Sequence, residues 1–207
     1  MLKSIAAVTA RAVVLTVITA TLLPASVSAA RAGEPLETVK TAAEKAVQVL
    51  SDPKLQTKDK KQERIDRLRE IISPMFDYDE MAKRALGPHW RNRTPAEQEE
   101  FSRLFRDFLE RTYADKVDLF KGEKVIFGRE TLDQDFAQVE STIIGEKGEG
   151  FSVVYRLKQN NGKWKVYDAV VENISIVNNY RSQFERVIKG ASYEELVRRL
   201  KAKAGSS

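Results

Sequence analysis

The 207-residue sequence predicts an α+β fold, with helices laid on one face of a curved antiparallel sheet of about four strands. Three observations carry that prediction. Apolar residues recur at helical spacing through the first half of the chain, the period switches to two after Lys121-Gly122, and helical spacing returns around Tyr180. The length suits one ordinary domain. Of the residues, 42% are hydrophobic and 31% charged, with no cysteine and a net charge of +5. Without cysteine there is no disulfide framework, no thiolate catalysis and no cysteine-based zinc site. A single histidine, His89, leaves a histidine-ligated metal or a Ser-His-Asp triad almost without material.

Residues 1–30 read as a cleaved export signal rather than as part of the fold. Lys3 and Arg11 precede an apolar run from Ala12 to Leu23, followed by Pro24 and the small residues Ala25 to Ala30. That run is well short of the roughly 20 apolar residues that span a bilayer. The expected product is an extracytoplasmic domain over residues 31–203 with a disordered tail, 204–207. With no cysteine, its stability there must come from its core.

Leu36, Val39, Ala43, Ala46, Val47 and Leu50 form one face of a first helix that stops at Asp52-Pro53. Ile65, Leu68, Ile71 and Ile72 mark a second, ending before Pro74. A short third helix from Asp77 to Leu86 buries Met81, Ala82 and Ala85 and ends at Gly87-Pro88. Thr94, Pro95 and Glu97 supply the N-cap, first-turn proline and capping box of a long helix. Its stripe, Phe101, Leu104, Phe105, Phe108, Leu109, Thr112 and Tyr113, makes it the expected spine of the domain.

Strands are expected over Lys124–Thr131, Ala137–Ile143, Phe151–Lys158 and Trp164–Val171, each with alternating or β-branched residues. Asn160-Asn161-Gly162 supplies the positive-φ residues of a tight turn between the last two. Two helices close the chain. One turns Tyr180, Phe184, Val187 and Ile188 inward and ends at Gly190. The other opens with a capping box, Ser192 to Glu195, and frays from Ala202. A sheet curved around a long helix makes a cone, which side chains can fill or leave hollow.

Single polar residues stand out against this pattern. Asp168 interrupts the apolar face of Trp164, Val166 and Val170. A carboxylate there can act as a general base, or it can be paired with an arginine, the ordinary fate of a buried charge, with Arg181 a candidate partner. His89 is read as a capping or packing residue. The basic run Lys54 to Arg69 is interleaved with Asp59, Glu63, Asp66 and Glu70, so it reads as a solvated helix face or as a docking surface for an acidic partner or anionic headgroups. No aromatic residue interleaves it, which disfavours nucleic acid.

Several segments together resemble the MlaC or toluene-tolerance (Ttg2-type) family of periplasmic phospholipid-binding proteins. They are Phe76-Asp77-Tyr78 through Met81, Leu86 to Arg91, Thr94-Pro95 with Gln98, Phe101, Phe105, Leu109 and Tyr113, then Gly162 to Asp168, and Asn179 to Phe184. The resemblance spans nearly the whole of 31–203. It implies an NTF2-like fold around a deep apolar cavity, with bound phospholipid as cargo, no cofactor, no metal and no catalytic residues. It also implies a monomeric shuttle between an inner-membrane ABC transporter bearing an MCE-domain subunit and an outer-membrane lipoprotein-porin complex, maintaining outer-membrane lipid asymmetry. One departure is Asn173, where the family pattern leads us to expect glycine. Asn is the next most tolerant residue for positive φ, so the turn is expected to survive. A branch of the family associated with hopanoid biosynthesis makes a hopanoid or other lipid an alternative cargo, and a small-molecule enzyme with Asp168 as base is the alternative activity.

Hiding two acyl chains from water means burying about thirty methylenes, on the order of 20 kcal/mol. The residues expected to line such a cavity come from three places. The helices give Phe76, Met81, Leu104, Phe105, Phe108, Leu109 and Tyr113; the strands give Val125, Phe127, Val139, Ile143, Phe151, Val153, Tyr155, Trp164 and Val166; the closing helix gives Tyr180 and Phe184.

Overall fold

The switch of period at Gly122 is a switch of layer. A computed structural model describes residues 33–114 and 117–205, so the expected signal segment lies outside the described residues. Four helices come first: α1 (Glu34–Ser51), α2 (Lys61–Ile72), α3 (Tyr78–Leu86) and α4 (Pro95–Ala114). Five strands follow, β1 (Lys124–Asp133), β2 (Phe136–Ile144), β3 (Gly150–Asn160), β4 (Lys163–Val171) and β5 (Ile174–Ser175). Helices α5 (Ile176–Gly190) and α6 (Tyr193–Gly205) close the chain. The sheet runs β1-β2-β3-β4-β5, each strand antiparallel to its neighbour. The two-residue β5 is the strand that the sequence pattern misses. Helix α6 also continues to Gly205, so Ala202 and Lys203, expected to fray, are helical.

The local signals act as their chemistry requires. At α4 the Glu97 N–H donates to Thr94 Oγ1 (3.3 Å) and the Thr94 N–H donates back to Glu97 Oε2 (2.7 Å). That backbone bond is the largest cause holding the Glu97 carboxyl below its ordinary range. Asp77 accepts from the Glu80 N–H (3.0 Å) to cap α3, and Ser192 Oγ accepts from the Glu195 N–H (3.2 Å). Asn161 and Gly162 take φ 50° and 75° in the β3–β4 turn. Asn173 takes φ 64° beside Glu172 at 48°, so the asparagine does adopt the left-handed conformation, and Val171 pairs with Ile174 across the turn.

Two cores result. Between α3, α4, α5 and α6, the rings of Phe101, Phe105, Phe108, Tyr180 and Phe184 interleave, with centroids 5.2 Å apart for Phe108–Tyr180 and 5.4 Å for Phe105–Phe184. The second core lies between α1 and the sheet, where Val39 meets Ala137, Val139, Leu157, Trp164 and Val166. Helix α1 is pinned there electrostatically as well. Glu130 of β1 accepts from the Gly33 and Leu36 N–H groups, both at 2.8 Å, placing a carboxylate on the positive end of the helix.

Candidate functional site

Helix α2 carries charge on most of its surface and aliphatic residues on one stripe, Ile65, Leu68 and Ile72. That stripe does not close against a ring-filled layer. It faces the last turns of α4 across an apolar pocket of about 260 Å³. Opposite it lie Leu109, Tyr113 and Ala114; Phe76, Tyr78 and Met81 form one end, and Ala169 of β4 with Ile176 of α5 forms the floor. Polar groups sit at the rim: Arg69 Nε donates to Glu110 Oε2 (2.9 Å), and Ser73 Oγ donates to Glu110 Oε1 (2.6 Å).

The phenols in the wall are neutral at any physiological pH. Burial raises the Tyr78 phenol above its ordinary value, against the Ser73 hydrogen bond, which lowers it. The Tyr113 phenol is pushed up to about 12, chiefly by burial and secondarily by Tyr180, although the residue keeps 46% of its surface in solvent. The pocket therefore offers apolar surface and neutral donors, with its one ion pair at the rim. Such a lining suits the apolar groups of a ligand.

The structure brings together Phe76, Met81, Leu109 and Tyr113 from the residues expected to line a cavity. Leu104, Phe105, Phe108 and Phe184 lie in the ring-filled core, with Tyr180 packed against it. Val139, Trp164 and Val166 lie in the α1–sheet core, with Phe127 and Tyr155 against it. Val153 is buried elsewhere in the sheet, Val125 and Ile143 are half-buried cross-strand partners, and Phe151 is 40% exposed. Sequence reasoning passed over Ile65, Leu68, Ile72, Ala169 and Ile176. The signal for the first three was present, since an apolar stripe on an otherwise charged helix needs something to face.

Asp168 is not in this pocket, and its partner is not Arg181. A bulge between Arg156 and Leu157 sets Asp168 opposite Arg156 while Val166 stays opposite Leu157. The extra residue turns the carboxylate away from the Trp164–Val166 face. Asp168, 3% exposed, accepts from Arg156 Nη1 (3.2 Å), Ser175 Oγ (2.7 Å) and the Val177 N–H (3.1 Å). It joins β3 to the start of α5. His89 Nε2 hydrogen-bonds Glu185 Oε2 (2.7 Å), tying the turn after α3 to α5. Among the described residues no group of three or more His, Asp or Glu side chains is placed to hold a metal ion. Part of the basic run is a solvated face paired within itself, as in Arg67–Glu63 (2.6 Å) and Arg69–Asp66 (2.9 Å), but Lys61 and Arg64 pair with Asp118 outside the run, and Arg64 is buried rather than solvated.

Comparison with known proteins gives this arrangement a lineage. The family model described as MlaC protein matches residues 40–202, from α1 to α6. The chain belongs to the MlaC family. It is 20% identical over 142 residues to the intermembrane phospholipid transport system binding protein MlaC of Haemophilus influenzae, a match covering 66% of each chain. It is 26% identical over 121 residues to the toluene tolerance protein ttg2D of Pseudomonas putida, covering 58% of this chain and 56% of that one. The chain thus spans between about half and two thirds of the length of these relatives. Among solved structures it is similar to a phospholipid-binding protein from Ralstonia solanacearum in complex with a phospholipid, with TM-score 0.70 and 27% identity over 83% of this chain and 97% of the other. The α+β fold of the MlaC family is therefore the fold of this chain, and the expected resemblance is met. Among the described residues no helix is long and apolar enough to cross a membrane.

Proposed function

We propose that this MlaC-family chain is a periplasmic phospholipid carrier, exported by residues 1–30, that takes acyl chains into the pocket between α2 and α4. The observation that carries the reading is the pocket itself: an apolar space bounded by Ile65, Leu68, Met81, Leu109 and Ala169, with charge only at its rim. The Ralstonia relative holding a phospholipid and the Haemophilus relative named for phospholipid transport support the same cargo.

At about 260 Å³ the pocket lies just below the usual ligand range of about 300–1,000 Å³, so a diacyl lipid enters by widening it. Widening toward the sheet recruits Tyr155 and Val153, the cross-strand partners of Ala169 and Val171. At about 0.8 kcal/mol per buried methylene, the acyl chains supply the energy for that opening. No catalytic role is assigned. Asp168, the alternative base, has both oxygens occupied and lies outside the apolar space. The membrane partners on this reading are an inner-membrane MCE-type ABC transporter and an outer-membrane lipoprotein-porin complex, with outer-membrane lipid asymmetry as the outcome.

Native mass spectrometry of the exported protein, purified without detergent, tests the reading. A stoichiometric mass excess that extracts as diacyl phospholipid is the expected result. A hopanoid in the extract would change the cargo, and bare protein would contradict carriage.

A further inference from the structure

Helix α3 borders two separate recesses. Tyr78 and Met81 point into the apolar pocket, whereas Glu80, Lys83 and Arg84, on the opposite side of the helix, border a second recess of about 560 Å³. Its other walls are the turn Gly87–Asn92, the outer face of β3–β4 and the first turn of α5. Cations dominate it: Lys83, Arg84, Arg91, Arg156 and Arg181 stand against Glu80 and Asp168.

Both carboxylates are already spent. Asp168 is shared by Arg156, Ser175 and the α5 backbone, and Glu80 by Arg84 (2.8 Å), Lys158 (3.6 Å) and Lys83 (3.9 Å). Those bonds fix two guanidinium groups in place, Arg156 against Asp168 and Arg84 over the Tyr167 ring at 4.1 Å. Arg91 and Arg181, by contrast, have no carboxylate within ion-pair distance among the described residues. Arg181 is also seated by the backbone. Gly87 has φ +59°, and a Cβ there would come within 2.8 Å of Arg181 Nε, so the guanidinium lies directly against this bare stretch of backbone.

Convergent guanidinium groups with unused donors match the oxygens of a tetrahedral anion bidentately. A concave, polar recess suits a small group held on several sides better than a flat protein partner. We propose that this recess binds a phosphate-class anion, gripped by Arg181 and Arg91 over the fixed Arg156. The anion is either a soluble phosphomonoester or the phosphate of an anionic lipid headgroup at a membrane surface. The proposal does not depend on what fills the apolar pocket.

Titration calorimetry of the full exported chain with inorganic phosphate and with glycerol 3-phosphate tests the soluble source. Co-sedimentation with phosphatidylglycerol vesicles, against phosphatidylcholine vesicles, tests the lipid source. Arg181→Ala, Arg91→Ala and Gly87→Ala are compared with Arg186→Ala, an exposed α5 cation outside the recess, with circular dichroism to confirm folding. The expected result is binding to one probe that is about tenfold weaker in Arg181→Ala and Arg91→Ala, weaker in Gly87→Ala, unchanged in Arg186→Ala, and reduced by added salt. Binding of the soluble phosphates identifies the soluble source; binding of phosphatidylglycerol vesicles alone identifies the headgroup. Absence of binding to both, or binding that Arg181→Ala and Arg91→Ala leave at the Arg186→Ala level, overturns the site.

Discussion

The two ends of α4 make opposite use of one apolar stripe. Over Phe101, Phe105 and Phe108 the stripe meets Tyr180 and Phe184 of α5, and rings fill the space edge to face. Past Leu109 it meets α2, which offers only Ile65, Leu68 and Ile72, and the space stays open. Whether an apolar stripe becomes core or cavity is thus decided by the bulk of what it faces. Aromatic residues on both sides interdigitate, whereas aliphatic residues on a helix supported mainly by α1 do not.

Removing a ring from the filled end should have the largest effect of any substitution along α4. Phe105→Ala, at a fully buried position, is expected to cost about 3–5 kcal/mol in thermal or denaturant unfolding. Leu68→Ala at the hollow end borders space that already exists, so its cost is expected at the low end of the leucine range, about 2 kcal/mol, with lipid content changed more than stability. Equal costs at the two positions would mean that both ends are packed alike.

How much of this was legible in the sequence follows the range of the interactions involved. The capping box at Thr94 and the turn residues Asn161-Gly162 and Asn173 act within a few residues and do in the structure what their spacing implies, whereas at Ser192 only the serine arm of the expected box forms, the Glu195 carboxylate going to Arg198 and Arg199. The cavity depends on which stripe faces which, and on side chains that are too small to meet. Periodicity marks α2 as having an apolar face but says nothing of what lies opposite. Asp168 shows the same limit at shorter range: strict alternation places it on the Trp164–Val166 face, and the single bulge residue rotates it to Arg156.

Smaller effects sharpen the picture at its edges. Glu130→Ala removes the carboxylate from the start of α1 and is expected to cost about 1 kcal/mol, read as a lower unfolding midpoint. The smallest effect expected is at Glu195, whose carboxyl is pulled from an ordinary value of 4.5 to about 2, first by Arg198 and then by Arg199. A depressed folded-state value favours the folded chain above the unfolded value, and that advantage is lost as pH falls from about 4.5 toward 2. Glu195→Gln should therefore lower stability slightly above about pH 5, by an amount diminished by salt, and leave it unchanged near pH 2, so that the acid limb of an unfolding series flattens.

A carrier that holds its acyl chains between α2 and α4 should lose its cargo when that space is filled. Ala169, buried at the pocket floor, is replaced by Trp, and Val154, half-buried in the sheet outside the pocket, is replaced by Trp as the control. Phospholipid is then extracted from each folded protein and counted per mole. Wild-type stoichiometry is expected in Val154→Trp and almost no lipid in Ala169→Trp; equal lipid in the two would place the cargo somewhere else in the molecule.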